Sequence, residues 1–207
     1  MKKNRKKFNL HELAGQVEKM SLSEQKSSAG GDMYFTPDGY CLGEYGQGNS
    51  LQVISQRDFD HYKNYGESGL NNHATVFSEA GYEAQSRIAS AMAGQTCRIY
   101  DYPQDPTEHG NTQYEYDPLT GSLMPTTIGL NYNGQVVQSN NYWDILSILV
   151  HEKCHYSLGY NDTWDGRYSE YMCLQAQFND PNFSRCSQNF QDAMRRAEHY
   201  ALFGYYN

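Results

Sequence analysis

Between Asn141 and Tyr160 the chain reads NYWDILSILVHEKCHYSLGY, an apolar run that ends in two histidines four residues apart, with a glutamate beside the first. Asn141 is suited to cap a helix, Asp144 falls in its first turn where negative charge favours the macrodipole, and Gly159 is a natural stop. With 3.6 residues per turn, His151 and His155 then share one face, so both imidazoles can converge on a single ion. Glu152 projects from an adjacent direction at the same level, within reach of a metal-bound water without being a ligand. Two histidines leave a tetrahedral site incomplete. A third protein ligand must come from elsewhere, with the fourth position open for water.

Glu170 is the first candidate for that ligand. If YNDTWDG is the turn of a helical hairpin, His155 lies four residues before Gly159 and Glu170 four residues after Gly166, so the two stand level. On the second helix Glu170, Cys173, Leu174 and Gln177 share the face toward the histidines, and the small Cys173 allows close approach beside His151. Asp162, within the turn, is the alternative ligand. The competing reading makes His151 and His155 hydrogen-bonded core or surface residues and Glu170 a solvated acid. Lys153 and Cys154 point away from the histidine face, and Cys154 reads as a small core residue.

Around this helix the local signals describe one α+β domain, a size that suits 207 residues. MYFTPDGYCLGEYGQGNSLQVIS suggests short strands or irregular hairpins. FSEAGYEAQSRIASAMAG predicts a helix capped by Ser78 and stopped by Gly94, with Tyr82, Ile88, Ala91 and Met92 available to its buried face. TCRIYDY follows as a strand, and residues 103–123, rich in Pro, Asp, Gly, Asn and Thr, read as a long loop. Asn133-Gly134 between two β-prone runs predicts a hairpin just before the histidine helix. Phe190, Met194, Ala197 and Ala201 recur at helical spacing and predict a C-terminal helix.

Charge divides the chain unevenly. Residues 1–31 hold seven of the sixteen Lys and Arg but three of the twenty-four acids, which leaves a strongly acidic body. Such a body repels phosphate backbones and argues against nucleic-acid partners, and no apolar run is long enough for a membrane span. The five cysteines show no C-x-x-C pair, so a cysteine zinc site has little support. Up to two disulfides could form in an oxidising space, with connectivity open. In residues 1–31 a basic start is followed by Leu10, Leu13, Val17 and Met20 at three- and four-residue steps, then a Ser-rich stretch and Gly30-Gly31. No apolar core of a secretory signal is present. The pattern reads as a docking helix followed by an accessible cleavage strand, or else as a solvated tail.

Two resemblances follow. Residues 141 to about 178 resemble the glutamate-zincin metallopeptidases, in which His-Glu-x-x-His is followed by a Glu on a second helix. The resemblance implies a small mixed or antiparallel sheet packed on the His-Glu-x-x-His helix, with a second, Glu-bearing helix beside it. It also implies a zinc ion on His151, His155 and Glu170, and peptide-bond hydrolysis through a metal-activated water with Glu152 as general base. A strand before the helix, here TTIGLNY, would form the cleft edge that pairs with a protein or peptide substrate. Tyr156, Tyr160, Tyr168, Tyr171 and His199 are all available as an oxyanion donor. Residues 1–31 resemble a double-glycine leader. That implies cleavage after Gly31 by an ATP-driven exporter carrying a peptidase domain, and a secreted bacterial protein occupying residues 32–207. The alternatives are an exported bacteriocin-like toxin or surface-binding protein with a structural or vestigial metal site, and an intracellular metallopeptidase with a tail.

Overall fold

The computed structural model describes residues 31–101, 109–159 and 166–203, and most of its elements follow from local signals. Short β-prone runs separated by Gly-containing turns form β1 (Asp32–Phe35), β2 (Cys41–Tyr45) and β3 (Leu51–Val53). Helices α1 (Gln56–Tyr62) and α2 (Gly66–Asn71) lead to β4 (Thr75–Val76), and Ser55 caps α1 by accepting from the Asp58 backbone N–H. The four strands make a sheet of order β2-β1-β3-β4, with β1 antiparallel to β2 and parallel to β3. Tyr34, Ile54, Phe59 and Leu70 pack together in a small core of their own.

The next helix, α3 (Tyr82–Ala93), starts later than the sequence signals suggest. Ser78 lies in a separate 3-10 turn, Phe77–Glu79, and Ala80 and Gly81 are extended, so Gly81 takes the cap position. The buried face is Gln85, Ile88, Ala89 and Ala93, while Tyr82 is largely exposed. Gly94 ends the helix as expected.

A second sheet carries the larger departure. It has the order β5-β7-β6, from β5 (Cys97–Tyr100), β6 (Gly110–Asp117) and β7 (Ser122–Asn131). Within the segment expected to be a loop, residues 110–117 and 122–123 are thus strand, and residues 102–108 lie outside the described residues. Its hairpin turns at Asp117, whose carboxylate accepts from Leu119 N–H at 2.9 Å and Thr120 Oγ1–H at 2.7 Å, and Gly121 supplies the positive φ of 70°. Asn133-Gly134 makes no hairpin. It opens a short helix, α4 (Gln135–Ser139), because Val136 and Val137 drop into the core instead of continuing a strand.

The histidine helix, α5 (Tyr142–Leu158), is capped by the Asn141 side chain, which accepts from Trp143 N–H at 3.0 Å and Asp144 N–H at 3.2 Å. Gly159 ends it, its N–H donating to His155 O. Asp144 does more than favour the dipole: buried, it accepts from Ser187 N–H at 2.8 Å and Oγ–H at 2.7 Å, tying α5 to the start of α7 (Gln188–Phe203). Between them runs α6 (Gly166–Phe178). Ile145, Ile148 and Leu149 of α5 belong to one core with Ile128 and Leu130 of β7, Ile88 and Ala89 of α3, Leu174 of α6, and Phe190 and Met194 of α7. The architecture is α+β, with α5 at its centre. Among the described residues, no helix is long and apolar enough to cross a membrane.

Residues 1–30 lie outside the described residues, but the expected cleavage point does not. Gly31 N–H donates to Glu44 Oε1 at 2.6 Å, and Asp32 is buried in β1 with its carboxylate accepting from Ser50 N–H and Asn71 Nδ2–H. A Cβ on Gly31 would stand 2.9 Å from the Tyr45 backbone. In the folded body Asp32 opens β1, which pairs with β2 on one side and β3 on the other.

Candidate metal centre

Helix α5 ends in the pair that its periodicity places on one face. His155 Nε2 lies 3.2 Å from His151 Nε2 and 3.1 Å from Glu170 Oε2, and His151 Nε2 lies 3.1 Å from Glu170 Oε1. The Glu170 carboxylate thus reaches across from α6 to both rings. Nitrogen and oxygen ligands held about 2.0–2.1 Å from a tetrahedral zinc stand about 3.3–3.4 Å apart. The observed triangle needs to open only slightly to surround one such ion, and its two imidazoles and one carboxylate are a donor set that zinc accepts. Among the described residues this is the one cluster of three His, Cys, Asp or Glu side chains with that geometry. Asp162 lies outside the described residues.

Glu152 is buried beside the triangle, and β6 positions it. The Thr112 hydroxyl sits 2.8 Å from the Glu152 backbone oxygen and 3.0 Å from its Oε2, so its single proton serves both. Tyr114, two residues further along the strand, donates to His155 O at 3.2 Å. Close packing between strand and helix depends on Gly110, where a Cβ would lie 3.1 Å from both Glu152 Cγ and Ile148 Cγ2. Neither Thr112 nor Tyr114 stood out in the sequence, although Thr112, Tyr114 and Tyr116 alternate with the period of a strand.

Electrostatics couple the three groups. Burial alone raises the Glu170 carboxyl, but hydrogen bonds to His151 and His155, and their charge, override it and hold the group well below the usual carboxylate range. Burial lowers His151, and its contact with Glu170 outweighs that and raises it. Glu152 is pushed up by burial, with the two histidines and Thr112 opposing. Among the described residues the buried His151 Nδ1 atom has no hydrogen-bond partner. Packing and Glu170 therefore orient this ring, in place of the carbonyl or carboxylate that commonly holds a metal-binding imidazole.

The remaining expectations divide. Lys153 does point away from the histidine face, its Nζ donating to Ala93 O at the end of α3. TTIGLNY is not a cleft edge: it lies in β7, the central strand, with residues 127–131 buried, and the outer strand beside Glu152, among the described residues, is β6. Of the oxyanion candidates, Tyr156 and Tyr171 pack on the core, Tyr168 is exposed, His199 rests on Phe203, and Tyr160 lies outside the described residues. All five cysteines are free thiols. No family model matches the chain, and no curated protein or solved structure matches it either.

Proposed function

We propose that this chain is an exported zinc-dependent metallopeptidase of zincin type, with His151, His155 and Glu170 holding the ion and Glu152 as general base. The observation that carries this reading is the triangle of two imidazole nitrogens and one carboxylate beside a buried, oriented carboxylate that is not part of it. Zinc, when bound, supplies a Lewis acid that acidifies a water and polarises a carbonyl. Glu152 then does the proton work. It takes the proton of the attacking water and delivers it to the leaving amine, with Thr112 holding one carboxylate oxygen in place. A cation held in the triangle would oppose the burial that raises Glu152 and so favour its ionised form.

Strand β6 runs past Glu152 and, among the described residues, has no further strand on its outer side, which suits an extended peptide added there. The test is zinc content together with cleavage of an unfolded protein, measured on the native chain and on Glu152→Gln. Zinc without cleavage would favour a binding protein with a structural metal. Export by a peptidase-bearing ATP-driven transporter predicts a mature chain beginning at Asp32 in the medium.

The ion pair gives the metal-free protein a pH signature. A raised His151 stabilises the fold below its ordinary pKa of 6.5, and that contribution is lost as pH rises through the folded value. The depressed Glu170 contributes above its ordinary 4.5 and loses its contribution as pH falls through the folded value. Zinc must displace the His151 proton, so its affinity should fall about tenfold per pH unit below the raised value. The melting-temperature gap between zinc-supplied and chelator-treated protein should therefore be wider at pH 8 than at pH 6. A gap that narrows with rising pH would remove His151 from the ligand set.

A further inference from the structure

A cavity of about 200 Å³ opens beside the first turns of α5 and α7, about two turns of α5 before the triangle and outside the proposed chemistry. Asp144 lines it and is 3% exposed. Ser187, also in the wall, donates to that carboxylate twice, from its N–H at 2.8 Å and its Oγ–H at 2.7 Å. The Ser187 hydroxyl accepts in turn from Phe190 N–H at 3.3 Å, which leaves its own proton for Asp144. Two donors on one carboxylate favour its ionised form, and burial opposes that. Among the described residues no Lys or Arg pairs with Asp144, and a buried charge without a counter-ion is costly. The other titratable side chain in the wall is His109, so the acid supplies the negative charge of the cavity.

We propose that this cavity is a binding site for the ammonium group of a short alkylamine, with Asp144 as its counter-ion. Val136, Phe190 and Ala193 supply an apolar wall for the hydrocarbon stem, and the exposed Gln135 and Asn189 form a polar rim. Each carboxylate oxygen already accepts one proton and keeps room for a second. An ammonium carries three rotatable donors and can reach those positions singly, whereas a guanidinium favours the paired, coplanar approach that Ser187 already occupies.

The same features exclude other ligands. Anions are repelled by Asp144, and neutral ligands leave its charge uncompensated. A bare metal ion lacks donors, because Asp144 and His109 belong to no cluster of three ligating side chains among the described residues. The acidic body of the chain adds a field that attracts cations. The ammonium has two sources, a free amine or the lysine side chain of a peptide.

The experiment is calorimetric titration of the full-length protein at pH 8, where an alkylammonium stays charged, with n-pentylamine, N-acetyl-lysine methylamide, 1-pentanol and pentanoate. n-Pentylamine should bind saturably and one-to-one, and 1-pentanol and pentanoate should not. Asp144→Asn keeps the side-chain shape beside Ser187 and should weaken the amine about 10–100-fold, the worth of a hydrogen bond to a charged group. Ala193→Leu leaves Asp144 intact and should abolish binding by filling the cavity, which keeps the test decisive if Asp144→Asn does not fold. N-acetyl-lysine methylamide binding at least as tightly as n-pentylamine assigns the site to a lysine side chain, and weaker binding assigns it to a free amine. No saturable binding of either ammonium, equal binding of 1-pentanol, or unaltered affinity in a folded variant would overturn the proposal. Amine binding that zinc abolishes would place the amine at the triangle and overturn it too. An amine site in a protein that binds no zinc leaves this proposal standing and removes the metallopeptidase; zinc binding without the amine does the reverse.

Discussion

Glu152→Gln should lower cleavage of an unfolded protein substrate by about 10²–10⁴-fold while zinc stays bound, the range spanned by a positioned general base. The substitution isolates the proton-transfer role. Glutamine keeps the side-chain shape, and its amide oxygen can still accept from Thr112 Oγ1 at the position Oε2 now holds. It also removes a buried ionisable group whose surroundings push its carboxyl upward, so the fold should melt no lower than the native one. Activity lost without loss of zinc or of melting temperature then has one cause. Undiminished cleavage would sink the role given to Glu152, and loss of zinc would make Glu152 a ligand.

Glu170→Ala carries the second large effect. Removing a partner outside the ligand shell typically weakens metal binding 10–100-fold, and removing a ligand should exceed that, so zinc affinity should fall by more than about 100-fold. Only His151 and His155 remain on the triangle, and two ligands do not complete a zinc site. The metal-free protein changes as well. His151 loses the contact that raises it and is left to burial, which favours the neutral ring. Asp162→Ala, measured beside it, should leave affinity unchanged. Equilibrium competition with a zinc chelator reads both variants, and release of zinc by Asp162→Ala but not by Glu170→Ala would transfer the third position to Asp162.

The legible part of this site was the part set by local geometry. His151 and His155 share a face because helices repeat every 3.6 residues, and Asn141 and Gly159 mark the ends because capping depends on a few adjacent atoms. Even Glu170 was within reach, since counting turns across a short connection transfers the register from α5 to α6. What escaped depends on distant partners. Strand β6 is mostly polar and looks like loop; it becomes strand by hydrogen-bonding to β7, and only then do Thr112 and Tyr114 reach α5. Asn133-Gly134 is a strong hairpin cue in isolation, yet burial of Val136 and Val137 overrides it. Ser78 does not cap α3 because it lies in a separate 3-10 turn, where its N–H donates to Asn140 Oδ1, and the chain runs extended through Ala80 and Gly81 before the helix begins.

The place of Asp32 in the first sheet, with Gly31 just before it, would impose an order of events on the proposed removal of a leader. A peptidase must draw the bond it cuts into its own cleft as extended, unpaired chain. Here that bond lies between a backbone N–H held by Glu44 and a strand flanked on both sides. If the leader is removed after Gly31, its removal must come before folding, and a chain that folds first keeps its leader. Folding then acts as a deadline for maturation: a urea-unfolded precursor should be cut by the transporter's peptidase domain, and the same precursor refolded beforehand should resist it. Equal cutting of both would show that the sheet opens there on its own.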